Sequence, residues 1–140
     1  MAGKILLEVV TPEKLLLSQE VDEVIAPGSE GEFGVLPGHC HFLSTLKIGA
    51  LRYRVGETMH YMSVLWGFAE VTPSKVTILA EVAEKAEDID VERAQAAVEK
   101  AQKRLEVGGL PSEVEEAKVS LEKARLRQKI AERARKSAHP

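Results

Sequence analysis

The sequence predicts an α+β protein in which an N-terminal antiparallel β-sandwich is followed by an antiparallel hairpin of two helices. Short apolar runs separated by turns dominate the first part of the chain, and alanine-rich helical periodicity dominates the second. Residue types are divided in the same way: all six aromatic residues lie between Phe33 and Phe68, and eleven of sixteen alanines follow Ala80. We therefore expect a sandwich domain at residues 1–86 and a helical hairpin at 87–140.

The first part contains turn-bounded apolar runs that are typical of strands. The run at 5–10 ends at Thr11-Pro12, and Pro27–Gly31 and Gly56-Glu57 are further turn signals. In the last run, every second residue from Val76 to Val82 is apolar. Short strands with turns roughly every 8 to 12 residues favour an antiparallel sandwich or small barrel over parallel βαβ units.

The second part shows helical periodicity with one interruption. An apolar stripe from Ala94 to Leu105 predicts a first helix over about 90–106. The Gly108–Pro111 segment ends it, and a second helix is predicted over about 113–136, with Ser112 and Glu115 as a capping box. Because alanine buries little apolar area, we expect the hairpin to be weakly held and able to detach.

Charge is distributed unevenly along the chain. The formal net charge is −3, yet residues 123–140 carry seven basic side chains and one acidic side chain. Two interpretations of this basic end remain open: a solvated helix end, or a surface that docks an acidic protein or nucleic acid. No aromatic residue is interleaved with these cations, so stacking on single-stranded bases is unsupported.

Several classes of protein receive no support. The longest stretches without a charged residue, Phe33–Leu46 and Thr58–Ala69, are shorter than the roughly 20 residues of a membrane-spanning helix. The N-terminus does not follow the pattern of a signal peptide, and Cys40 is the only cysteine. We expect a soluble intracellular chain with no direct insertion into a membrane.

No catalytic or metal site is predicted. His39, Cys40 and His41 are consecutive, so on a strand they would point to alternate faces, and no second cluster completes a set of four ligands. No nucleophile with a partnered base and no phosphate-binding loop is present in the sequence. We therefore expect a protein that is not an enzyme.

One segment resembles a known family. Gly31–His39 is similar to the Gly-x-x-Gly-Ile/Val-Leu-Pro-Gly-His segment of the epsilon subunit of bacterial F-type ATP synthases. The resemblance continues through Leu46–Gly49, Gly67–Val71 and Val76–Ala80, and the family has the same order of sandwich and hairpin. Leu65-Trp66-Gly67 departs from the Ser-Gly-Gly that the family usually shows at this point.

The resemblance implies a non-catalytic subunit of the central stalk, or rotor. Such a subunit helps to couple proton flow through the membrane ring to ATP synthesis, and its C-terminal helices inhibit ATP hydrolysis. The implied partners are the gamma subunit, the polar loops of the membrane c-ring, and the alpha and beta subunits of the catalytic head, without nucleic acid. The implied location is peripheral, on the cytoplasmic side of the bacterial inner (plasma) membrane.

Two other functions remain open from the residues. One is a β-domain adaptor whose basic hairpin binds nucleic acid or another acidic partner. The other is a stand-alone sensor that binds ATP in the hairpin.

The resemblance also assigns contact residues. Glu32 and His39 would face the ring and stalk, although His39 is as readily explained as a polar residue that caps a turn. The residues implied to contact the catalytic head are the basic side chains of the second helix, Lys123, Arg125, Arg127, Arg133 and Arg135.

A second motif concerns the binding of a nucleotide. Ile89–Ala94 resembles the Ile/Leu-Asp-x-x-Arg-Ala motif of epsilon subunits that bind ATP in the folded hairpin. The resemblance implies no required cofactor, but ATP as a regulatory ligand; two further arginines of that site correspond to Lys100 and Lys123, which lack the bidentate guanidinium. The alternative is that the acidic residue of the motif caps the first helix and its arginine makes a local ion pair. The positions implied to bind ATP are Glu84, Asp90, Arg93, Ala94 and Arg127.

Overall fold

A computed structural model describes residues 3–138 as eight strands followed by two helices. The predicted β-sandwich followed by a helical hairpin is confirmed. Residues 1–2 and 139–140 of the two predicted domains lie outside the described residues. The strands are β1 (Ile5–Val10), β2 (Leu15–Val21), β3 (Glu23–Gly28), β4 (Gly31–Val35), β5 (Phe42–Leu46), β6 (Gly49–Val55), β7 (Thr58–Val71) and β8 (Lys75–Lys85). A short 3-10 helix, Ala86–Asp88, leads into α1 (Val91–Val107) and α2 (Pro111–Ala138).

Strand β7 connects the two layers of the sandwich. Its first half pairs with β6, from Thr58 opposite Val55 to Val64 opposite Gly49, and its second half pairs with β5. Strand β8 runs antiparallel to β7, while β1 and β2 extend the sheet beyond β8. Strand β3 joins β4, β5 and β6. The long β7 therefore belongs to both layers.

One strand pair of the described residues is parallel, a detail that the predicted antiparallel sandwich did not include. Strand β1 runs parallel to β8, from Leu6 opposite Lys75 to Val10 opposite Leu79. Parallel neighbours need a long connection, and the strands between β1 and β8 supply it. Across this pair Lys75 Nζ lies 2.6 Å from Glu8 Oε1, and the hydrogen bond from the ammonium lowers the pKa of the Glu8 carboxyl.

The sandwich has a hydrophobic core of its own. Every residue of this buried cluster belongs to a strand, and most alternate with less buried neighbours along their strands as the period of two requires. Its members are Ile5, Leu7, Val9, Val21, Val24, Ala26, Val35, Leu46, Leu51, Tyr53, Met62, Val64, Ala69, Val71, Val76, Ile78 and Ala80.

The hairpin is attached through a second, smaller cluster. Ile130 of α2 is fully buried beside Ala86 and Ile89, and Ala50 and Tyr61 of the sandwich pack against them. The other buried side chains of α1 and α2 are small, so the helices can approach each other and the sheet closely but bury little area. These are Ala94, Val98, Ala101, Ala117 and Ala124.

The helix ends have local causes. The Asp90 carboxylate accepts a hydrogen bond of 3.1 Å from the backbone N–H of Arg93 and so caps α1. Helix α2 begins at Pro111, because proline is well suited to the first helical position, where its missing N–H has no partner to lose. Ser112 therefore lies inside the first turn, and the predicted capping box with Glu115 is wrong.

The backbone of strand β7 is irregular at Trp66 and Gly67, and we call this point the bend of β7. Buried core side chains occupy even positions before the bend, as at Val64, and odd positions after it, as at Ala69. The backbone φ is +48° at Trp66 and +144° at Gly67. A Cβ built on Gly67 would lie 1.9 Å from the carbonyl oxygen of Leu79 on β8, so the close approach of the two strands requires glycine.

We predict that Gly67→Ala lowers the free energy of unfolding by at least about 2 kcal/mol, since the added methyl group overlaps the β8 backbone and the φ angle is strained. Gly34→Ala is the matched control, because Gly34 also lies in a strand but has open space around its Cβ position. Urea denaturation of both variants measures the effect. Equal stability of the Gly67→Ala variant and the parent would contradict this account of the bend.

Candidate functional site

A cavity of about 510 Å³ lies where the hairpin meets β7 and β8. Strand β8 contributes Glu84, α1 contributes Arg93, and α2 contributes Lys123 and Arg127. The structure thus brings together three of the five residues that the sequence assigned to nucleotide. A volume of this size falls within the range of small-molecule sites, and three cations on its wall suit an anionic ligand.

The other two assigned residues do not line this cavity. The carboxylate of Asp90 caps α1, as the alternative interpretation of the motif predicted. Ala94 is fully buried in α1. The guanidinium of Arg93 makes no ion pair with any residue in 3–138, so the local ion pair expected in that interpretation is absent from the described chain.

Glu84 and Arg127 bind each other across the cavity. Arg127 donates two hydrogen bonds to the Glu84 carboxylate, one of 2.9 Å from Nε and one of 3.3 Å from Nη2. About a quarter of each side chain is exposed, at 28% for Glu84 and 22% for Arg127. Charge-assisted bidentate pairs are among the stronger hydrogen bonds in proteins, and partial burial reduces screening by salt. This pair fastens α2 to β8.

Lys123 contacts the side chain of Trp66. Its ammonium lies 4.8 Å from the centroid of the indole ring, within the range of a cation–π interaction. Trp66 is 40% exposed, and its position at the bend of β7 brings the ring against α2. The sequence marked this tryptophan as a departure from the family, but no local pattern pointed to its partner on the helix.

Lys100 lies apart from the cavity. It lines a separate groove of about 350 Å³ near the turn between the helices, together with Lys103, Arg104 and Glu113. Of the two lysines that correspond to arginines of the family, only Lys123 therefore faces the sandwich.

Glu32 is exposed but already paired. Its side chain is 56% exposed at the start of β4, and one terminal nitrogen of Arg52 donates to both of its carboxylate oxygens, at 3.0 and 3.1 Å. The Nε of Arg52 is buried and has no hydrogen-bond partner among the described residues. The sequence did not predict this contact, because Arg52 lies on β6, twenty residues away.

His39 lies in the segment that follows β4. Its Nδ1 is 2.8 Å from the carbonyl oxygen of Cys40, and its ring meets the edge of Phe42 at a centroid distance of 6.2 Å. Its backbone N–H donates to the carbonyl of Leu36 at 3.1 Å. These local contacts fit the interpretation of His39 as a turn residue, and its direct contact with a partner stays a prediction.

The five basic residues of α2 that the sequence assigned to the catalytic head fall into two groups. Arg125, Arg133 and Arg135 are exposed, and Arg135 also lines a groove beside Tyr61. Lys123 and Arg127 are instead held against the sandwich by the contacts described above. In the folded hairpin only the first group is free to meet another protein.

An apolar patch covers part of the outer face of the sandwich. Phe68 lies directly opposite Leu79 on β8, and Leu43 is diagonal to it on β5. The three side chains are 52%, 48% and 68% exposed, respectively. We call these three residues the outer patch. These residues were not among the predicted site residues, although strict alternation along a strand puts Phe68 on the opposite face of the sheet from its neighbour Ala69, which is buried.

Residues 3–138 offer neither a cluster of metal ligands nor a membrane-spanning helix. No three side chains of the types His, Cys, Asp and Glu are grouped so that they could bind a metal ion. Neither helix combines the length and apolarity required to cross a bilayer.

Comparison with known proteins gives matches along nearly the whole chain. Residues 4–86 match a model described as ATP synthase, Delta/Epsilon chain, beta-sandwich domain, and residues 87–137 match the corresponding long alpha-helix domain. The ATP synthase epsilon chain of Syntrophobacter fumaroxidans is 54% identical over 95% of this chain and 99% of that protein. The epsilon chain of Citrifermentans bemidjiense is 48% identical over 96% and 98%.

Solved structures show the same fold. A chain in the Euglena gracilis mitochondrial ATP synthase structure, described as OSCP/F1/c-ring in rotational state 1, aligns with a TM-score of 0.78 and 25% identity, over 89% of this chain and 79% of that one. A chain of the central stalk and c-ring of the Tetrahymena thermophila enzyme aligns with a TM-score of 0.62 at 14% identity, over 93% and 98%. Together, the matched domains and the bacterial relatives show that this chain belongs to the epsilon subunit family of ATP synthases.

Proposed function

We propose that this chain is a non-catalytic subunit of the central stalk that couples proton flow through the membrane ring to ATP synthesis. The observation that carries the proposal is the match of both domains, residues 4–137, to the epsilon family. The subunit would be peripheral, on the cytoplasmic side of the bacterial inner membrane, and would contact gamma, the c-ring loops and the alpha and beta subunits. Family membership favours this function over an adaptor that binds nucleic acid.

The outer patch is our candidate for the surface that docks on gamma. Three large apolar side chains adjoin one another on a sheet face, with the polar Thr45, Glu70 and Thr77 beside them on the paired strands. An apolar centre with a polar rim is the usual anatomy of a protein interface. The patch belongs to the sandwich alone, so docking there would not require a particular position of the hairpin.

The contact with the ring would pair the negative charge of Glu32 with a basic residue on a polar loop of the ring. Glu32 keeps more than half of its side chain exposed while Arg52 holds its carboxylate in place. A basic residue of the ring loop could share this carboxylate without displacing Arg52, because each carboxylate oxygen accepts more than one hydrogen bond. His39 lies in the same segment, in the turn that follows β4, and would contribute to the ring contact by holding this turn in place.

The hairpin would inhibit ATP hydrolysis by contacting the catalytic head. Arg125, Arg133 and Arg135 are exposed on α2 and would meet an acidic segment of the beta subunit. Lys123 and Arg127 could join them only after α2 leaves the sandwich, since both now contact it. Inhibition would therefore involve all five cations in an open hairpin and three in the folded one.

ATP is proposed as a regulatory ligand of the folded hairpin. The cavity wall carries Arg93, Arg127 and Lys123, which would pair with phosphates, and Glu84, which could accept hydrogen bonds from adenine or ribose. Asp90 and Ala94 would act indirectly, since Asp90 caps α1 and Ala94 is buried in it, next to Arg93.

For docking on gamma, we predict that Leu79→Arg weakens binding to a gamma–head complex by at least about tenfold, because it places an unpaired charge in an apolar interface. Leu110→Arg is the control, since Leu110 is 64% exposed in the turn between the helices, far along the chain from the outer patch. Surface plasmon resonance measures both variants. No binding by the parent chain would refute the stalk function, and equal binding by both variants would place gamma elsewhere on the surface.

For nucleotide, we predict that Arg93→Ala weakens ATP binding by at least about tenfold, because a phosphate loses its charged donor. Arg125→Ala removes the same charge from an exposed site of α2 that does not line the cavity. Isothermal calorimetry on the parent and both variants measures the affinities. Absence of heat from the parent chain at millimolar ATP would end the proposal of a nucleotide site.

A further inference from the structure

We propose that two contacts, Trp66 with Lys123 and Glu84 with Arg127, form a clasp that keeps the hairpin folded on the sandwich without any nucleotide. As a regulatory device the clasp rests on the proposed function, because it would set how often the hairpin is available to the catalytic head. Its four residues come from α2 and from two adjacent strands, β7 and β8.

The two cations of the clasp lie on one face of α2. Lys123 and Arg127 are four residues apart, so their side chains are neighbours along the helix. Ala124 beside them is only 2% exposed. A small residue at this point lets the helix approach the sheet closely enough for both cations to reach their partners.

The two partners lie on paired strands of the sheet. Glu84 on β8 is opposite Ser63 on β7, and Trp66 follows three residues later along β7. The bend that gives Trp66 its positive φ also takes this residue out of the regular pairing, between Leu65 opposite Val82 and Gly67 opposite Ala80. The ring is thereby directed at the helix and not into the core.

The clasp supplements a weak apolar attachment. Beyond these contacts, α2 is attached to the sandwich mainly around Ile130, about one helical turn beyond Arg127. One fully buried isoleucine and several alanines bury little area, so each polar contact changes the equilibrium between folded and open hairpin measurably. Loss of the two clasp contacts would leave the sandwich core intact, because every residue of that core belongs to a strand.

The same cations have two mutually exclusive uses. While Lys123 contacts Trp66 and Arg127 binds Glu84, neither can bind an acidic segment of another protein. Once the hairpin opens, both become available. Opening would therefore convert contacts within the chain into contacts with a partner, and the clasp sets the free-energy difference that the partner has to overcome.

The experiment uses the isolated full-length chain without nucleotide. In a Cys40→Ser background, Ser63→Cys places a near-isosteric thiol at a position that is 1% exposed on the cavity wall. Its rate of reaction with a thiol reagent is then proportional to the fraction of open hairpin. Such a rate detects rare opening that a distance measurement would miss.

We expect Glu84→Gln and Trp66→Gly each to raise the labelling rate about two- to fivefold, the size of a partly exposed ion pair or cation–π contact. Glycine at 66 also relieves the strain of the positive φ, so a faster rate cannot be attributed to a strained backbone. Lys129→Gln is the control, because Lys129 is exposed on α2 and makes no ion pair within residues 3–138.

A double-mutant cycle separates the clasp from general loosening. In a Lys123→Gln background, Trp66→Gly should change the rate much less than it does alone, because the contact is already lost. Full additivity, unchanged rates, or an equal increase from Lys129→Gln would overturn the proposal. The measurement needs neither gamma nor the head, so its failure would leave the stalk function untouched, and failure of gamma binding would leave the clasp untouched.

Discussion

The absence of a side chain at Gly67 is the constraint on which the arrangement of this subunit depends. With any Cβ at this position, β7 would collide with the carbonyl oxygen of Leu79 on β8. Glycine allows β7 to bend and to pass from its pairing with β6 to its pairing with β5, which joins the two layers of the sandwich. The same bend directs Trp66 at α2.

The sandwich and the hairpin are held by two separate hydrophobic clusters. The sandwich cluster consists of strand residues alone, so the surfaces proposed for docking, the outer patch and Glu32, would keep their geometry when the hairpin moves. The hairpin depends on Ile130 and on a few polar contacts with β7 and β8. Under the proposed function, this difference would allow one part to stay bound to the rotor while the other part moves.

Local patterns predicted most of the fold. Alternation of apolar residues gave the strands, and the alanine stripe gave the helices, because both patterns follow from the geometry of a single element. The parallel pair of β1 and β8 could not be predicted, since it joins residues about 70 apart in the chain. The predicted start of α2 lies two residues late, because Pro111 occupies the first helical position and Ser112 falls inside the first turn.

The candidate site was predicted less completely than the fold. Resemblance to the family supplied Glu84, Arg93 and Arg127, which the structure brings together, but it could not show that Glu84 and Arg127 bind each other. It also included Asp90 and Ala94, which do not line the cavity. The contact of Trp66 with Lys123 joins a strand to a helix far along the chain, and a pattern within one element carries no information about such a pair.

The most direct test of the account is the ATPase activity of an assembled alpha–beta–gamma head with different forms of this subunit. Relative to the full chain, a form truncated after Lys85 should raise the activity, because under the proposed function its sandwich would still dock while the helices proposed to inhibit hydrolysis are gone. The Trp66→Gly, Glu84→Gln double variant should lower the activity below that of the full chain, since its hairpin opens more often. Equal activity with all three forms, when each is shown to bind gamma, would contradict regulation by the hairpin.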